Sequence, residues 1–206
     1  MFDVPPGLKR LEASPEGREW LYLLPTLVNA CADRWSLRLG RPYNRSQFSI
    51  VFPATTADQS AAVLKVQFPH SECKHEAEAL RHWNGHGAVR LFESDSQLHA
   101  LLIERCDPGD HLSALEPDAA LEVIAELLPR LWIPASEPFI SLRDESAGWA
   151  EHLASCWERA GRLRSNCSTS RCRLSIPFGT VKGSKSSCIR IFMEITCCVP
   201  RANPGS

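Results

Sequence analysis

Between Trp20 and Cys31 the apolar residues Trp20, Leu21, Leu24, Leu27, Val28 and Cys31 recur at the spacing of one helix face. Ser14-Pro15-Glu16 just upstream is a helix start: a serine to cap free amides, a proline suited to the first turn, and an acid for the positive helix end. Pro25 removes a backbone donor inside this stretch, which predicts a kink or a split. From Trp35 the period shortens to alternation. Residues 35–40, 48–52 and 61–68 read as three strands, the last two joined by a polar turn over 55–60. A helix is predicted over 71–83, with Ala77, Leu80 and Trp83 on one side, closed by the turn Asn84-Gly85-His86-Gly87. Residues 88–92 and 98–104 predict two more strands. Beyond Pro108-Gly109 the pattern is helical over 118–131 and 145–160, the latter with Trp149, Leu153 and Trp157 four apart. Strands cluster early and helices late, which predicts an α+β fold rather than alternating βαβ units.

Composition narrows this picture in one respect. The hydrophobic fraction of 44% and charged fraction of 23% are those of a globular protein, and 206 residues suffice for one or two domains. No apolar run approaches the roughly 20 residues of a membrane helix, and the N-terminus has no continuous apolar block of the secretory kind. Together these imply a cytoplasmic protein with no membrane partner. Charge, however, is unevenly placed. Residues 1–160 carry fifteen Lys/Arg against twenty-three Asp/Glu, whereas residues 161–206 carry eight against the single Glu194 and hold five of the nine cysteines.

Lys65 is the first chemical candidate. A lysine in the middle of a strand is by default a solvated residue, but the residues beyond Val63-Leu64-Lys65-Val66 change the reading. Glu76 and Glu78 lie eleven and thirteen residues past the lysine, upon the next predicted helix. Two strands later comes Leu101-Leu102-Ile103-Glu104-Arg105-Cys106-Asp107-Pro108-Gly109. Phosphoryl transfer calls for such a set: a strand lysine to hold nucleotide phosphates, a helix carboxylate to hold the lysine, and a last strand running into a hinge whose backbone reads the base.

The ordered segments Ala62–His70, His75–Phe92 and Leu101–Arg105, with Trp20…Leu24-Pro25…Arg34-Trp35 upstream and Leu128-Pro129-Arg130-Leu131-Trp132…Pro134 downstream, resemble the streptomycin 6-phosphotransferases. These belong to the aminoglycoside and hydroxyurea resistance kinases, and the resemblance covers about residues 15–160. It implies a protein-kinase-like α+β fold, truncated: an N-terminal antiparallel-sheet lobe over 1–104, then a hinge and the first helices of the C-terminal lobe over 105–160. It further implies that Lys65 contacts the phosphates of ATP, that Glu76 is its ion-pair partner with Glu78 as the fallback, and that Glu104, Arg105 and Cys106 form the hinge. Residues 41–49 would be the phosphate-covering loop, with Ser49 matching a small polar residue of the family. This loop contains no glycine, which opposes close backbone approach to phosphate; it also reads simply as a polar turn between strands. The implied activity is ATP-dependent phosphorylation of an alcohol group on an aminoglycoside such as streptomycin. Whether the acceptor is streptomycin, another aminoglycoside or hydroxyurea stays open.

In this family the base and the Mg²⁺ ligands come from a His-Gly-Asp…Asn loop and a later Asp-Pro motif of the second lobe. No His-Gly-Asp string occurs in the sequence, and its one Asp-Pro, Asp107-Pro108, stands directly at the hinge and not later in the second lobe. No catalytic base and no metal ligand is therefore assigned, and the chain is expected to be catalytically incomplete, with apolar helix faces left uncovered. A non-catalytic kinase-like binding or interaction protein is the competing expectation; a tail that folds onto the lobe would favour it.

Residues 161–206, with scattered Arg, Ser and Cys and no sustained apolar period, resemble the product of an out-of-frame reading. Their cysteine spacings suit no tetrahedral zinc site and no histidine lies among them. Their basic charge, without a folded basic module, implies no specific nucleic-acid partner. Ile191-Phe192-Met193-Glu194-Ile195 can be encoded AUC UUC AUG GAG AUN; read from the third base, these letters give Leu-His-Gly-Asp. The alternative is a genuine lineage-specific tail. A frameshift near residues 161–165 predicts that sequencing the coding DNA finds Leu-His-Gly-Asp in another frame beside Phe192. A coding region without that string in either other frame overturns it.

Overall fold

The computed structural model describes residues 2–44, 46–70 and 73–163. The tail from residue 164 onward, and with it the zinc, nucleic-acid and frameshift expectations, lies outside the described residues. The described residues fall into two compact units, one running to Leu131 and one starting at Trp132.

The first unit is built on a five-stranded sheet in which every neighbouring pair is antiparallel, with strand order β1-β2-β3-β5-β4. The strands are β1 (Arg38–Leu39), β2 (Ser49–Thr55), β3 (Ala61–Gln67), β4 (Leu91–Asp95) and β5 (Ala100–Glu104). Helix α1 (Pro15–Arg34) precedes them, α2 (Glu76–Trp83) lies between β3 and β4, and α3 (Pro117–Leu131) follows. This is the α+β layout that the order of patterns predicts.

Period-2 alternation along the strands gives the sheet two distinct faces. Ile50, Phe52 and Ala54 of β2, Ala62, Leu64 and Val66 of β3, and Ala100 and Leu102 of β5 share one face. They form a single core with Trp20, Leu24, Val28 and Cys31 of α1 and with Leu8 and Leu11 of the 3-10 segment Pro6–Ala13. Cys31 is fully buried, and loss of water, followed by the nearby Asp95 charge, pushes its thiol pKa up to about 11. The opposite face carries Ser49 and Val51, Val63, Lys65 and Gln67, and Leu101 and Ile103.

Several expectations shift. Helix α1 is continuous through Pro25 instead of splitting. Pro25 lies on the exposed side of the helix, where the carbonyl it leaves unpaired can be hydrated. The predicted strand 35–40 shrinks to two residues, because Trp35 caps α1 and Ser36 takes a left-handed φ of 52° before the chain extends. Pro53 is accommodated inside β2 since its carbonyl accepts from Gly40 on the β1 side, so its missing N–H faces the short edge strand. Helix α2 starts at Glu76 rather than 71, after a tight turn in which Cys73 N–H donates to His70 O at 3.2 Å. Strand β4 begins at Leu91 rather than 88. Asp95 joins the elements: its carboxylate accepts from Arg34 of α1 at 2.8 Å and from the backbone of Gln97 and Leu98 in the β4–β5 turn.

In the second unit Ser141 starts α4 (Leu142–Leu163), its hydroxyl accepting from Asp144 N at 3.2 Å and donating to the Asp144 carboxylate at 2.6 Å. Trp149 and Leu153 of the predicted apolar stripe are exposed. In the first unit α3 buries none of its residues and leaves Leu121 exposed. No helix among the described residues is long and apolar enough to cross a membrane.

One glycine tests the packing of α1 on the 3-10 segment. A Cβ on Gly17 would lie 2.0 Å from Leu11 O, within the segment that closes the core. Alanine is better than glycine in a helix by roughly 1 kcal/mol, but overpacking a closed contact costs about 1–3 kcal/mol. Gly17→Ala is therefore expected to lower the urea midpoint; a raised midpoint would show that the segment yields.

Candidate functional site

Strand β3 presents its two polar interior residues, Lys65 and Gln67, to the face away from α1, because Leu64 and Val66 between them are claimed by the core. Across the ladder Lys65 stands opposite Val51 of β2 and Leu101 of β5, and Gln67 stands opposite Ser49. Apolar neighbours on both sides leave the lysine one direction in which to find a charge partner.

Helix α2 supplies it. Ala79, Leu80 and Trp83 bury one side of this eight-residue helix, and Trp83 Nε1 donates to Leu131 O at 3.1 Å. Asn84 takes the left-handed conformation, φ 44° and ψ 44°, and donates its N–H to Leu80 O, so the helix ends where the Asn-Gly turn predicts. Glu76, in the first turn, points its carboxylate at β3. Lys65 Nζ donates to Oε1 at 2.7 Å and to Oε2 at 3.0 Å, and Gln67 Nε2 donates to Oε2 at 2.5 Å. The carboxylate is 8% exposed and the ammonium side chain 19%. Charge-assisted bonds of this kind are shorter and stronger than neutral ones, and here two donors share one nearly buried acceptor. An ammonium has three protons, so with two directed at Glu76 one remains for a further oxygen on the open side.

Glu78, the fallback partner, points away: its side chain is 42% exposed and its nearest cation is Arg81, at 4.0 Å. Ser49 shares the Lys65 face, but its hydroxyl is buried and bonded to the hydroxyl of Ser46 at 2.6 Å. The loop over 41–49 is described except for Arg45. In place of glycine freedom it is held by contacts. Tyr43 N–H donates to Val51 O, and the Arg10 guanidinium lies 4.4 Å over the Phe48 ring and donates to the Gln47 side chain at 2.5 Å. Gly7 lets the 3-10 segment approach so closely that a Cβ there would lie 2.4 Å from Ser46 O.

The hinge residues follow the last ladder pair, Ala62↔Glu104. By that register Glu104 belongs to the α1 face, so its carboxylate does not join Lys65; it accepts instead from Arg90 N–H at 3.0 Å. Arg105 and Cys106 leave the sheet, and Gly109 (φ 68°) completes the turn, with Cys106 O 2.9 Å from where a Cβ would stand. Beside α2 lies a groove of about 690 Å³ lined by Gln67, Ala77, Glu78, Arg81, Ser94 and Leu101 among others. Cys73 borders it; burial, the leading cause, raises its thiol pKa, so it stays protonated near neutral pH. Among the described residues no group of three or more His, Cys, Asp or Glu is placed to hold a metal ion.

The structure thus brings Lys65, Glu76 and Ser49 to one face, with the hinge at the end of the same sheet. The residue missed from sequence is Gln67. Its signal was the Lys-x-Gln spacing, which puts both side chains on one face of a strand, but nothing in the pattern says that an amide two residues after a lysine shares its carboxylate.

Removing one member of a buried pair leaves an uncompensated charge, which typically destabilises by about 3–5 kcal/mol, whereas replacing both by apolar residues is often near neutral. Glu76→Leu is therefore expected to lower stability in urea by about 3 kcal/mol, and Lys65→Met/Glu76→Leu to recover most of that loss. A double variant no more stable than the single would show that the pair is not a coupled unit.

The chain is similar to known proteins over most of the described residues. The family model for aminoglycoside/hydroxyurea antibiotic resistance kinases matches residues 34–170, which include β1 to α4. Streptomycin 6-kinase of Streptomyces glaucescens is 38% identical over 140 residues, covering 67% of this chain and 46% of that protein. Hydroxyurea phosphotransferase of Kitasatospora aureofaciens is 41% identical over 151 residues, covering 71% of this chain and 44% of that protein. Streptomycin 6-kinase of Streptomyces griseus is 37% identical over 149 residues, covering 70% and 48%. The chain spans about half the length of these relatives. With a kinase-like antiparallel lobe, a strand lysine paired to a helix glutamate, and a match over two-thirds of its length, the chain belongs to the aminoglycoside/hydroxyurea antibiotic resistance kinase family.

Proposed function

We propose that this chain holds ATP through Lys65 and the hinge at Glu104, Arg105 and Cys106, as the nucleotide-binding part of a phosphotransferase. Its acceptor would be an alcohol group of a streptomycin-like aminoglycoside. The observation that carries the reading is the Lys65–Glu76 pair, formed between the middle strand of the sheet and α2. Glu76 draws the ammonium to a fixed place, and the remaining proton of Lys65 meets a phosphate oxygen. Backbone groups past Glu104, where the ladder with β3 ends, meet the base edge. ATP supplies the phosphoryl group; these residues bind and orient it. Substrate class rests on the relatives, two of which are named for streptomycin and one for hydroxyurea.

The sequence has no His-Gly-Asp string, and no Mg²⁺ ligand is assigned to this chain. The same absence supports the further proposal that these 206 residues, by themselves, bind nucleotide without transferring phosphoryl. It also favours the second reading, a non-catalytic kinase-like binding or interaction protein of the cytoplasm.

The test incubates the purified chain with γ-labelled ATP, Mg²⁺ and either streptomycin or hydroxyurea, beside Lys65→Ala. Nucleotide affinity is measured separately by calorimetry. The expected result is ATP binding that drops at least about tenfold in Lys65→Ala, the scale of one lost charge-assisted contact, with no labelled acceptor. Transfer abolished by Lys65→Ala would show that a base and metal ligands exist elsewhere in the chain. Absence of ATP binding by the wild-type chain would overturn the nucleotide reading.

A further inference from the structure

We infer that Gln67 is a positioning residue: its buried side-chain amide fixes the Glu76 carboxylate and, through it, the direction in which Lys65 presents its ammonium. The inference deepens the nucleotide-binding reading and, for its effect on ATP, rests on it.

Glu76 alone is poorly anchored. Helix α2 is only eight residues long, too short to hold its first turn by propensity. One flank of α2, at Ala77, Glu78 and Arg81, borders the groove of about 690 Å³, so packing does not close that side. A single lysine holds a carboxylate loosely, because an ammonium on a flexible stem accepts many carboxylate orientations. A second donor, the Gln67 amide, removes that freedom. Gln67 is 5% exposed, and its Nε2 reaches Oε2 at 2.5 Å, while Lys65 Nζ reaches Oε1 at 2.7 Å and Oε2 at 3.0 Å. Gln67 is itself held by its backbone, since its N–H donates to His99 O at 2.9 Å and it pairs with Ser49 in the β2–β3 ladder. The donor that orients Glu76 therefore sits on the rigid sheet and not on the helix.

An amide suits this task where other side chains fail. A second cation would neutralise Glu76 and weaken its hold on Lys65. A carboxylate would repel it when ionised, yet a protonated carboxylic acid would donate as the amide does. That contrast separates positioning from mere packing.

The experiment compares wild type, Gln67→Met and Gln67→Glu in the full chain. If Gln67→Met does not fold, Gln67→Asn, which keeps the amide and shortens its reach, takes its place. ATP affinity, taken as a ratio to wild type at each pH, is expected to fall about tenfold in Gln67→Met at every pH, the scale of a lost bond to a charged group. In Gln67→Glu it should fall at pH 8 and recover toward wild type near pH 5. A flat pH ratio for Gln67→Glu together with wild-type affinity in Gln67→Met would overturn the positioning role. Should the wild-type chain bind no ATP, the nucleotide reading fails alone, and a second readout still decides the inference. The Lys65–Glu76 coupling, measured by double-mutant cycles of unfolding, is expected to shrink at least about twofold in the Gln67→Met background. An unchanged coupling would sink the positioning role.

Discussion

A nearly buried carboxylate cannot stand without donors, and among the described residues Glu76 obtains its donors from one strand. That requirement ties the structure together. It draws α2 onto the face of the sheet that α1 does not cover. It fixes Lys65, which would otherwise have only Val51 and Leu101 as cross-strand neighbours. The helix is too short to be stable by propensity. Its position instead follows from the apolar side formed by Ala79, Leu80 and Trp83 and from the polar tie at Glu76.

The two faces of the sheet divide the labour. One face, with α1 and the 3-10 segment, holds the apolar core. Rigid packing there leaves the other face free to carry Ser49, Lys65 and Gln67, polar residues that a two-sided core would exclude. The same packing explains a loop without glycine. Phe48 under Arg10 and the close approach of Gly7 to Ser46 hold the turn from behind. Loop rigidity has moved from backbone choice to tertiary contact.

The relatives are named as kinases or a phosphotransferase, and the described residues of this chain hold the paired Lys65 and Glu76. Lysine and glutamate are present as a geometry, and no His-Gly-Asp string occurs in the sequence. Fold and family do not by themselves assign chemistry, which belongs to the site. For that reason nucleotide binding and phosphoryl transfer are separable questions for this chain.

The sequence alone determined the α+β order of elements, the apolar face of α1, the end of α2 at Asn84-Gly85, and the choice of Glu76 over Glu78. These follow from local periodicity and turn chemistry, which act over a few residues. Only the tertiary structure decided that Pro25 stays within α1, that β1 is cut to two residues, and that Glu104 turns its carboxylate to Arg90. It also decided that Gln67 shares the carboxylate of Glu76. Each of these depends on which groups from distant parts of the chain meet across a strand or over a helix. Spacing along one segment records the face on which a side chain stands; the partner it finds there is set by the packing of the rest.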